Sequence, residues 1–225
     1  MNLIERLVNI VYPPKCIFCG KMVDISSMVH ICGNCFEKLP FTEDTFTTVS
    51  EEKGKCYCDG AVCVFRYTGI VKEALKRFKF HAKPCYYRTF ARLMAIKLLR
   101  LADIRKYDIV IAVPLYRSRE HERGYNQSQL ISKAISRELK IPDGSGIVRR
   151  VKDTKAQSLL DKHNRLLNVR GAFSVKSPER IKGKSVLLVD DILTTGSTLE
   201  ECGKILKQAG ADRVTAIVVA TGRNY

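Results

Sequence analysis

The chain has no run of roughly 18 uninterrupted apolar residues, the length a membrane-spanning helix needs, so a spanning segment is excluded. It also lacks an internal repeat and a low-complexity tract. With 45% hydrophobic and 28% charged residues over 225 positions, it is neither disordered nor collagen-like, and it has length for one good core or two small ones. No secretory signal stands at its start. Met1–Tyr12 reads instead as a short amphipathic helix, with Leu3, Ile4, Leu7, Val8 and Val11 on one face and Glu5 and Arg6 interrupting it. Without a signal, the nine cysteines are expected to stay reduced in a cytoplasmic protein, where metal binding is a more natural task for them than disulfide formation.

Acidic residues are scarce, 23 against 39 Lys and Arg, for a net charge of +16. The excess is uneven. Residues 1–65 carry a net −2, residues 66–106 a net +10 and residues 107–225 a net +8. Such a field favours polyanionic partners and does not by itself choose among nucleic acid, a membrane surface and polyphosphorylated metabolites.

Pro13-Pro14 ends the first helix, and a cysteine-punctuated stretch runs to about Leu39. The segment 42–55 is rich in Thr, Glu and Lys without periodicity and reads as a linker or exposed loop. Strands are then predicted at Ala61–Tyr67, Ile109–Val113, Ser185–Val189 and Arg213–Val219. Helices are predicted at Ile70–Phe80, Tyr87–Leu101, Gln127–Leu139, His163–Val169 and Ser197–Gln208, with a basic loop at Arg149–Lys155. Strands separated by helices imply parallel pairing with helices on both faces, an α/β fold. The apolar runs at 109–113 and 186–189 suit central strands buried on both sides. A small cysteine module over 1–55 and an α/β domain over 56–225 are the expected units.

Cys16-x2-Cys19 and Cys32-x2-Cys35, twelve residues apart, present two thiolate pairs as a tetrahedral zinc site does, with Gly20 and Gly33 one residue past a ligand for tight knuckle turns. The plainer alternatives are unrelated buried thiols or a redox dithiol. So small a module has little core of its own, so the metal is expected to act as a structural staple. Its acidic balance argues against its being the main phosphate contact. Cys56, Cys58 and Cys63 lack a matched second pair and read as free thiols, while Cys85 and Cys202, on predicted helices, read as core thiols.

The sharpest feature is Val186-Leu187-Leu188-Val189-Asp190-Asp191-Ile192-Leu193-Thr194-Thr195-Gly196-Ser197-Thr198, followed by an amphipathic helix. A buried strand delivers two acids at its carboxyl end, and a loop of small hydroxyl residues opens a helix there, where ligands of open α/β sheets bind. Backbone N–H groups, the helix dipole and hydroxyls suit a phosphate. The two acids suit vicinal sugar hydroxyls, with a hydrated Mg²⁺ to balance charge. The plainer alternative is a helix cap. Gly183-Lys184-Ser185 resembles the end of a P-loop, but Pro178 stands where the first glycine belongs, so a Walker-type site is rejected.

This run resembles the phosphoribosyl pyrophosphate (PRPP) motif of type I phosphoribosyltransferases. The chain as a whole resembles ComF-type competence proteins through the four cysteines, Tyr67-x-Gly69, Lys79-Phe80, Val113-Pro114-Leu115, Arg123-Gly124-Tyr125-Asn126-Gln127, Gln157-x-Leu159 and Arg165-x-x-Asn168-Val169. The resemblance implies a type I phosphoribosyltransferase-like parallel sheet flanked by helices and preceded by a small zinc-ribbon-like module. It implies that Asp190 and Asp191 contact ribose hydroxyls, that Thr194, Thr195, Gly196, Ser197 and Thr198 hold the 5-phosphate, and that Val113–Ser118, with Leu115, Tyr116 and Arg117, binds pyrophosphate. Arg117 and Arg123 would act in catalysis beside the two acids, Arg119 lies close by, and Arg149, Arg150, Lys152 and Gln157 fall where the family has its mobile lid. Implied cofactors are structural Zn²⁺ and Mg²⁺ with PRPP.

Three readings follow: a phosphoribosyltransferase releasing pyrophosphate, a catalytically silent PRPP sensor, and a single-stranded-DNA-handling factor of natural transformation working with a helicase-like competence partner. The charge at 66–106, with Lys72, Lys76, Arg77, Lys79, Lys83 and Arg88 among aromatic residues, is the candidate nucleic-acid face. No acceptor site is recognisable, because only a few residues follow the last predicted strand.

Overall fold

The four predicted strands form one sheet because their buried backbones have no solvent partner and must pair with one another. A computed structural model describes residues 13–49, 56–154 and 167–223. In chain order the elements are α1 (Gly33–Phe36), β1 (Gly60–Arg66), α2 (Gly69–Phe80), α3 (Tyr86–Leu101), β2 (Ile109–Ala112), α4 (Arg117–Arg123), α5 (Gln127–Leu139), β3 (Val148–Arg150), β4 (Phe173–Val175), β5 (Ser185–Leu193), α6 (Ser197–Gln208) and β6 (Arg213–Thr221). The main sheet has the order β1-β6-β5-β2 and is parallel throughout, as the alternation of strands and helices predicts. β3 and β4 form a separate antiparallel pair.

The pleat divides the core. Leu187, Val189, Val110, Ile217 and Val219 face a cluster with Leu75 and Phe78 of α2, Phe90 and Met94 of α3, and Ile131 and Ile135 of α5. Val186, Leu188, Ile109, Ile111, Ala216 and Val218 face the other side, against Leu199, Cys202 and Leu206 of α6 and Val148 and Phe173 of the hairpin. The second cover is therefore a helix and a two-stranded pair rather than helices alone.

Two expectations change. The basic loop at 149–155 begins as strand β3, paired Val148 to Val175 and Arg150 to Phe173. The segment 42–49 is largely exposed, as expected of it, but it is held as an edge strap on β1, bridged at Phe41–Phe65 and Thr47–Ala61. Thr42 N–H donates to the Val64 carbonyl at 3.0 Å and Thr47 N–H to that of Ala61 at 2.9 Å. Lys97 of α3, its side chain 7% exposed, pins the strap by donating to the Thr42 and Glu43 carbonyls at 2.7 and 2.8 Å and pairing with Asp44 at 2.6 Å. Backbone pairing and one buried ammonium override a polar composition. The expected domain boundary at 55/56 adjoins residues 50–55, outside the described residues, as is the N-terminal helix Met1–Tyr12.

The cysteine module is built into the first core cluster: Cys16, Ile17, Phe18, Cys35 and Leu39 are buried with Phe65, Phe78 and Phe90. Arg77 of α2 donates to the Ile17 carbonyl at 3.0 Å and the Phe18 carbonyl at 2.9 Å, and His30 N–H donates to Thr89 Oγ1 at 3.2 Å. Removing the Arg77 guanidinium leaves two carbonyls of the first knuckle without donors. Arg77→Met is expected to destabilise the metal-loaded protein by about 1–3 kcal/mol, read as a lowered thermal midpoint; an unchanged midpoint refutes this tie.

Candidate functional site

Strand β5 runs past Val189 to Leu193, so the two acids sit within the strand and not after it. Asp190 Oδ1 accepts from Ser128 Oγ at 2.8 Å and from Asp191 N–H at 2.9 Å. Burial and then the neighbouring Asp191 charge push the Asp190 carboxyl up to about 7, against the hydrogen bonds and Lys79, which pull it down. Asp191 is buried and pairs with Lys79 Nζ at 2.9 Å. Lys79 reaches it because the last turn of α2 passes this strand end.

The helices around the acids are fixed by polar contacts. Asn126 caps α5, accepting from Ser128 and Gln129 N–H at 3.0 and 3.4 Å, and donates to the Val113 carbonyl at 3.1 Å. That second bond ties the start of α5 to the end of β2, which places Ser128 against Asp190. Gly124, at φ +77°, closes α4 and lets Tyr125 donate its hydroxyl to the Phe78 carbonyl at 2.5 Å.

The hydroxyl loop connects β5 to α6. Thr195 Oγ1 and Ser197 Oγ lie 2.9 Å apart, and Asp190, Thr194, Gly196, Ser197 and Thr198 line one small cleft. Gly196 adopts φ +86°, and a Cβ there would land on the Val49 carbonyl, so glycine is required both by conformation and by the strap beneath. Behind the loop lies Arg223, 7% exposed, which donates to the carbonyls of Thr194, Thr195, Thr48 and Val49. Nothing in sequence spacing points to Arg223. A lone arginine two residues after the last strand has no motif, and only the fold brings it under the loop.

On the other side of the acids, β2 leads into Val113-Pro114-Leu115. The segment 113–118 is only partly a loop, since Arg117 and Ser118 open α4, with Tyr116 as its N-terminal flank. A cavity of about 190 Å³ is lined by Pro114, Leu115, Arg117, Asn126, Arg149 and Arg150, bringing the pyrophosphate and lid candidates together. Arg119 donates to the Thr154 carbonyl, Arg150 to Thr154 Oγ1, and Ser118 to Asp153 at 3.0 Å, tying α4 to the chain after β3. Arg150 lies over Phe173 at 5.2 Å, and Lys152 donates to the Arg170 carbonyl at 3.2 Å. Arg123 lies over the exposed Phe80 ring at 5.1 Å and donates to Gln127 at 3.2 Å. Burial lowers its pKa, while the Asp191 charge opposes that fall. Gln157, Leu159 and Arg165 fall outside the described residues, as does most of the expected helix at 163–169.

The four cysteines converge. The sulfurs of Cys16, Cys19, Cys32 and Cys35 lie within 4.8 Å of one another, the only such group of metal-ligating side chains among the described residues. Burial opposes Cys16 ionisation, but backbone N–H groups of Cys32, Cys19 and Phe18 outweigh it and bring the thiol down to about 7, whereas burial and the neighbouring sulfurs push the Cys35 thiol up. The donor set is a structural zinc site. Cys56, Cys58 and Cys63 do not join it; Cys63 is buried, and its thiol is pushed up to about 12 by burial. Cys202 is in the core as expected, but Cys85 is exposed at the start of α3.

The basic block is not gathered into one face. Arg77 serves the zinc knuckle, Lys79 serves Asp191, and Lys76 pairs with Glu73 on the surface at 2.9 Å. Lys72 and Lys83 are exposed, and Arg88, beside Tyr87, lines an open groove of about 420 Å³ with Met28, Arg92, Arg137 and Glu138. Arg92 is ion-paired with Glu138 there. No helix among the described residues is long and apolar enough to cross a membrane.

Comparison with known proteins agrees with this architecture. The phosphoribosyl transferase domain family matches residues 89–225, and the double zinc ribbon domain matches residues 7–58. Competence protein F of Haemophilus influenzae is 34% identical over 205 residues, covering 89% of this chain and 82% of that protein. DNA utilization protein YhgH of Escherichia coli is 28% identical over 186 residues, covering 81% and 74%. Competence protein ComFC of Bacillus subtilis is 29% identical over 147 residues, covering 65% and 58%. With the parallel sheet, the hydroxyl loop and the four-cysteine module all in one chain, this protein belongs to the ComF family of phosphoribosyltransferase-fold proteins with an N-terminal zinc module.

Proposed function

We propose that this chain binds PRPP together with Mg²⁺ and transfers its phosphoribosyl group to an acceptor, with release of pyrophosphate, in the service of DNA uptake. The observation that carries the reading is the convergence, at the carboxyl edge of one sheet, of a hydroxyl loop, two carboxylates and an arginine-lined cavity. Each part matches one part of the ligand. Backbone N–H groups and hydroxyls at the start of α6 suit the 5-phosphate, Asp190 and Asp191 suit the ribose hydroxyls, and Arg117, Arg149 and Arg150 suit the diphosphate.

In such a transfer C1 of the ribose loses pyrophosphate as a nucleophile arrives, and the ring gains oxocarbenium character. The developing charge on the leaving group is the main electrostatic demand, and guanidinium groups around the diphosphate answer it. Two adjacent carboxylates, Asp191 paired with Lys79 and Asp190 with a hydroxyl and an amide donor, suit a divalent cation, which when bound would neutralise diphosphate charge. Asp190 and Asp191 would hold it through the ribose hydroxyls and its water shell. Lys79 keeps Asp191 oriented until the sugar arrives.

Asp190→Asn and Asp191→Asn are each expected to weaken PRPP binding at least tenfold by calorimetry in the presence of Mg²⁺, because each removes a charged acceptor for a ribose hydroxyl. Unchanged affinity in both refutes the assignment. In the wild-type chain, PRPP consumption that depends on an added acceptor supports transfer. Binding with no pyrophosphate release under any acceptor supports a PRPP sensor in its place.

The raised Asp190 carboxyl also has a stability consequence. Its folded value of about 7 lies above its ordinary value of 3.8, so the folded state favours the protonated form. The favourable contribution is complete below about pH 4 and is lost as pH rises through about 7. Asp190→Asn, which keeps the acceptor for Ser128 and drops the charge, is expected to be more stable than wild type at pH 8 by about 1–3 kcal/mol, the gap shrinking toward pH 4. A gap that stays constant with pH in thermal melts rejects the shift.

A second reading, handling of single-stranded DNA beside a helicase-like competence partner, is supported by the names of the relatives and by the open groove with Tyr87, Arg88, Arg92 and Arg137. If DNA follows that groove, Arg88→Glu and Arg137→Glu lower affinity for a single-stranded oligonucleotide and flatten its salt dependence, while Lys72→Glu does less. Equal effects at all three positions argue for diffuse attraction instead.

A further inference from the structure

We infer that Arg223 is a positioning residue for the 5-phosphate loop, an inference that rests on reading this loop as a phosphate site. The argument begins with peptide geometry. In a trans peptide the C=O and the following N–H point in opposite directions across one plane. Arg223 Nε donates to the Thr194 carbonyl at 2.7 Å and Nη2 to the Thr195 carbonyl at 2.7 Å. These bonds fix two consecutive planes, and the N–H groups belonging to them are those of Thr195 and Gly196. Both are thereby turned away from the guanidinium, toward the front of the loop. Among the described residues neither N–H has a partner in the protein. A pair of consecutive N–H groups ending at a glycine with φ +86° forms an anion-binding concavity.

The same guanidinium donates to the Thr48 carbonyl at 2.8 Å and to that of Val49. Its cation is thus shared between the loop and the strap, and the Val49 carbonyl lies directly under Gly196. Four carbonyl oxygens facing one buried point would repel one another without a donor among them. A planar fork with five N–H donors meets all four at once, as a lysine ammonium with three donors does not. The positive charge behind the carbonyls also polarises both peptides in the sense that strengthens their N–H groups toward an anion. Arg223 touches no ligand in this arrangement and acts through the loop backbone.

The test uses the full, zinc-loaded chain, ¹⁵N-labelled and titrated with ribose 5-phosphate, comparing wild type with Arg223→Gln and Arg223→Lys. In the wild type, the Thr195 and Gly196 amide resonances shift on saturation. In Arg223→Lys, which keeps the buried charge, affinity is expected to fall about tenfold and those two shifts to shrink, while the amides of the sheet core stay in place. A merely structural role would lower the melting temperature and leave the shifts at saturation intact. Arg223→Gln is expected to lose more affinity than Arg223→Lys; if it does not fold, Arg223→Lys decides alone. Wild-type affinity and wild-type shifts in Arg223→Lys overturn the role of Arg223. A wild-type chain that binds neither ribose 5-phosphate nor PRPP overturns the phosphate reading instead, so the two failures are told apart.

Discussion

Two adjacent carboxylates at the end of a buried strand cannot stand without compensation, and much of this molecule is arranged around supplying it. Lys79 gives Asp191 a cation, while Ser128 and the Asp191 N–H give Asp190 two donors. To bring those groups there, α2 must end beside β5 and α5 must begin beside it. Tyr125 and Asn126 hold both in register by bonding to the Phe78 and Val113 carbonyls. Compensation remains incomplete, which is why the Asp190 carboxyl is pushed up to about 7 by burial and its neighbour. A buried acid left only partly satisfied keeps acceptor capacity for an incoming donor.

The zinc module is part of the same construction and not an appendage. Its buried residues share a hydrophobic cluster with α2 and α3, and Arg77 of α2 closes the first knuckle from outside. From its last residues the chain continues into the strap, which Lys97 and β1 hold in place before it passes under the hydroxyl loop. The path from the cysteines to Val49 therefore runs through backbone tied to β1 and to Lys97 of α3. Part of the charge at 66–106 is consumed in this work, because Arg77, Lys79 and Lys97 are engaged inside the protein and Arg92 by Glu138.

Legibility followed the range of the interactions. The two cysteine pairs and the strand–acid–hydroxyl-loop run are local patterns whose spacing carries their chemistry, and the structure brings each together as one cluster. The strand ends were less legible: β5 and β6 continue beyond the apolar runs because parallel neighbours go on offering hydrogen-bond partners, as at Leu193 and Thr221. The strap read as a loop because it is polar, while its order comes from β1 and from one distant lysine. Cys85 read as a core thiol from its place on a helix, and it is exposed because it begins α3 instead of lying along its buried face.

The sequence alone determined what is encoded by neighbours along the chain: parallel strands from continuous apolar runs, a zinc ribbon from paired cysteines, and two acids followed by a hydroxyl loop that opens a helix. Only the tertiary structure decided which cations are spent and which remain available, because these side chains bond to acceptors 60 to 175 positions away, carbonyls for Arg77 and Arg223 and a carboxylate for Lys79. Lys79 and Arg223 look alike in sequence, as basic residues near the end of an element. Folding sets one in front of the carboxylates and the other behind the hydroxyl loop, and a side chain's role there is set by which buried acceptors surround it.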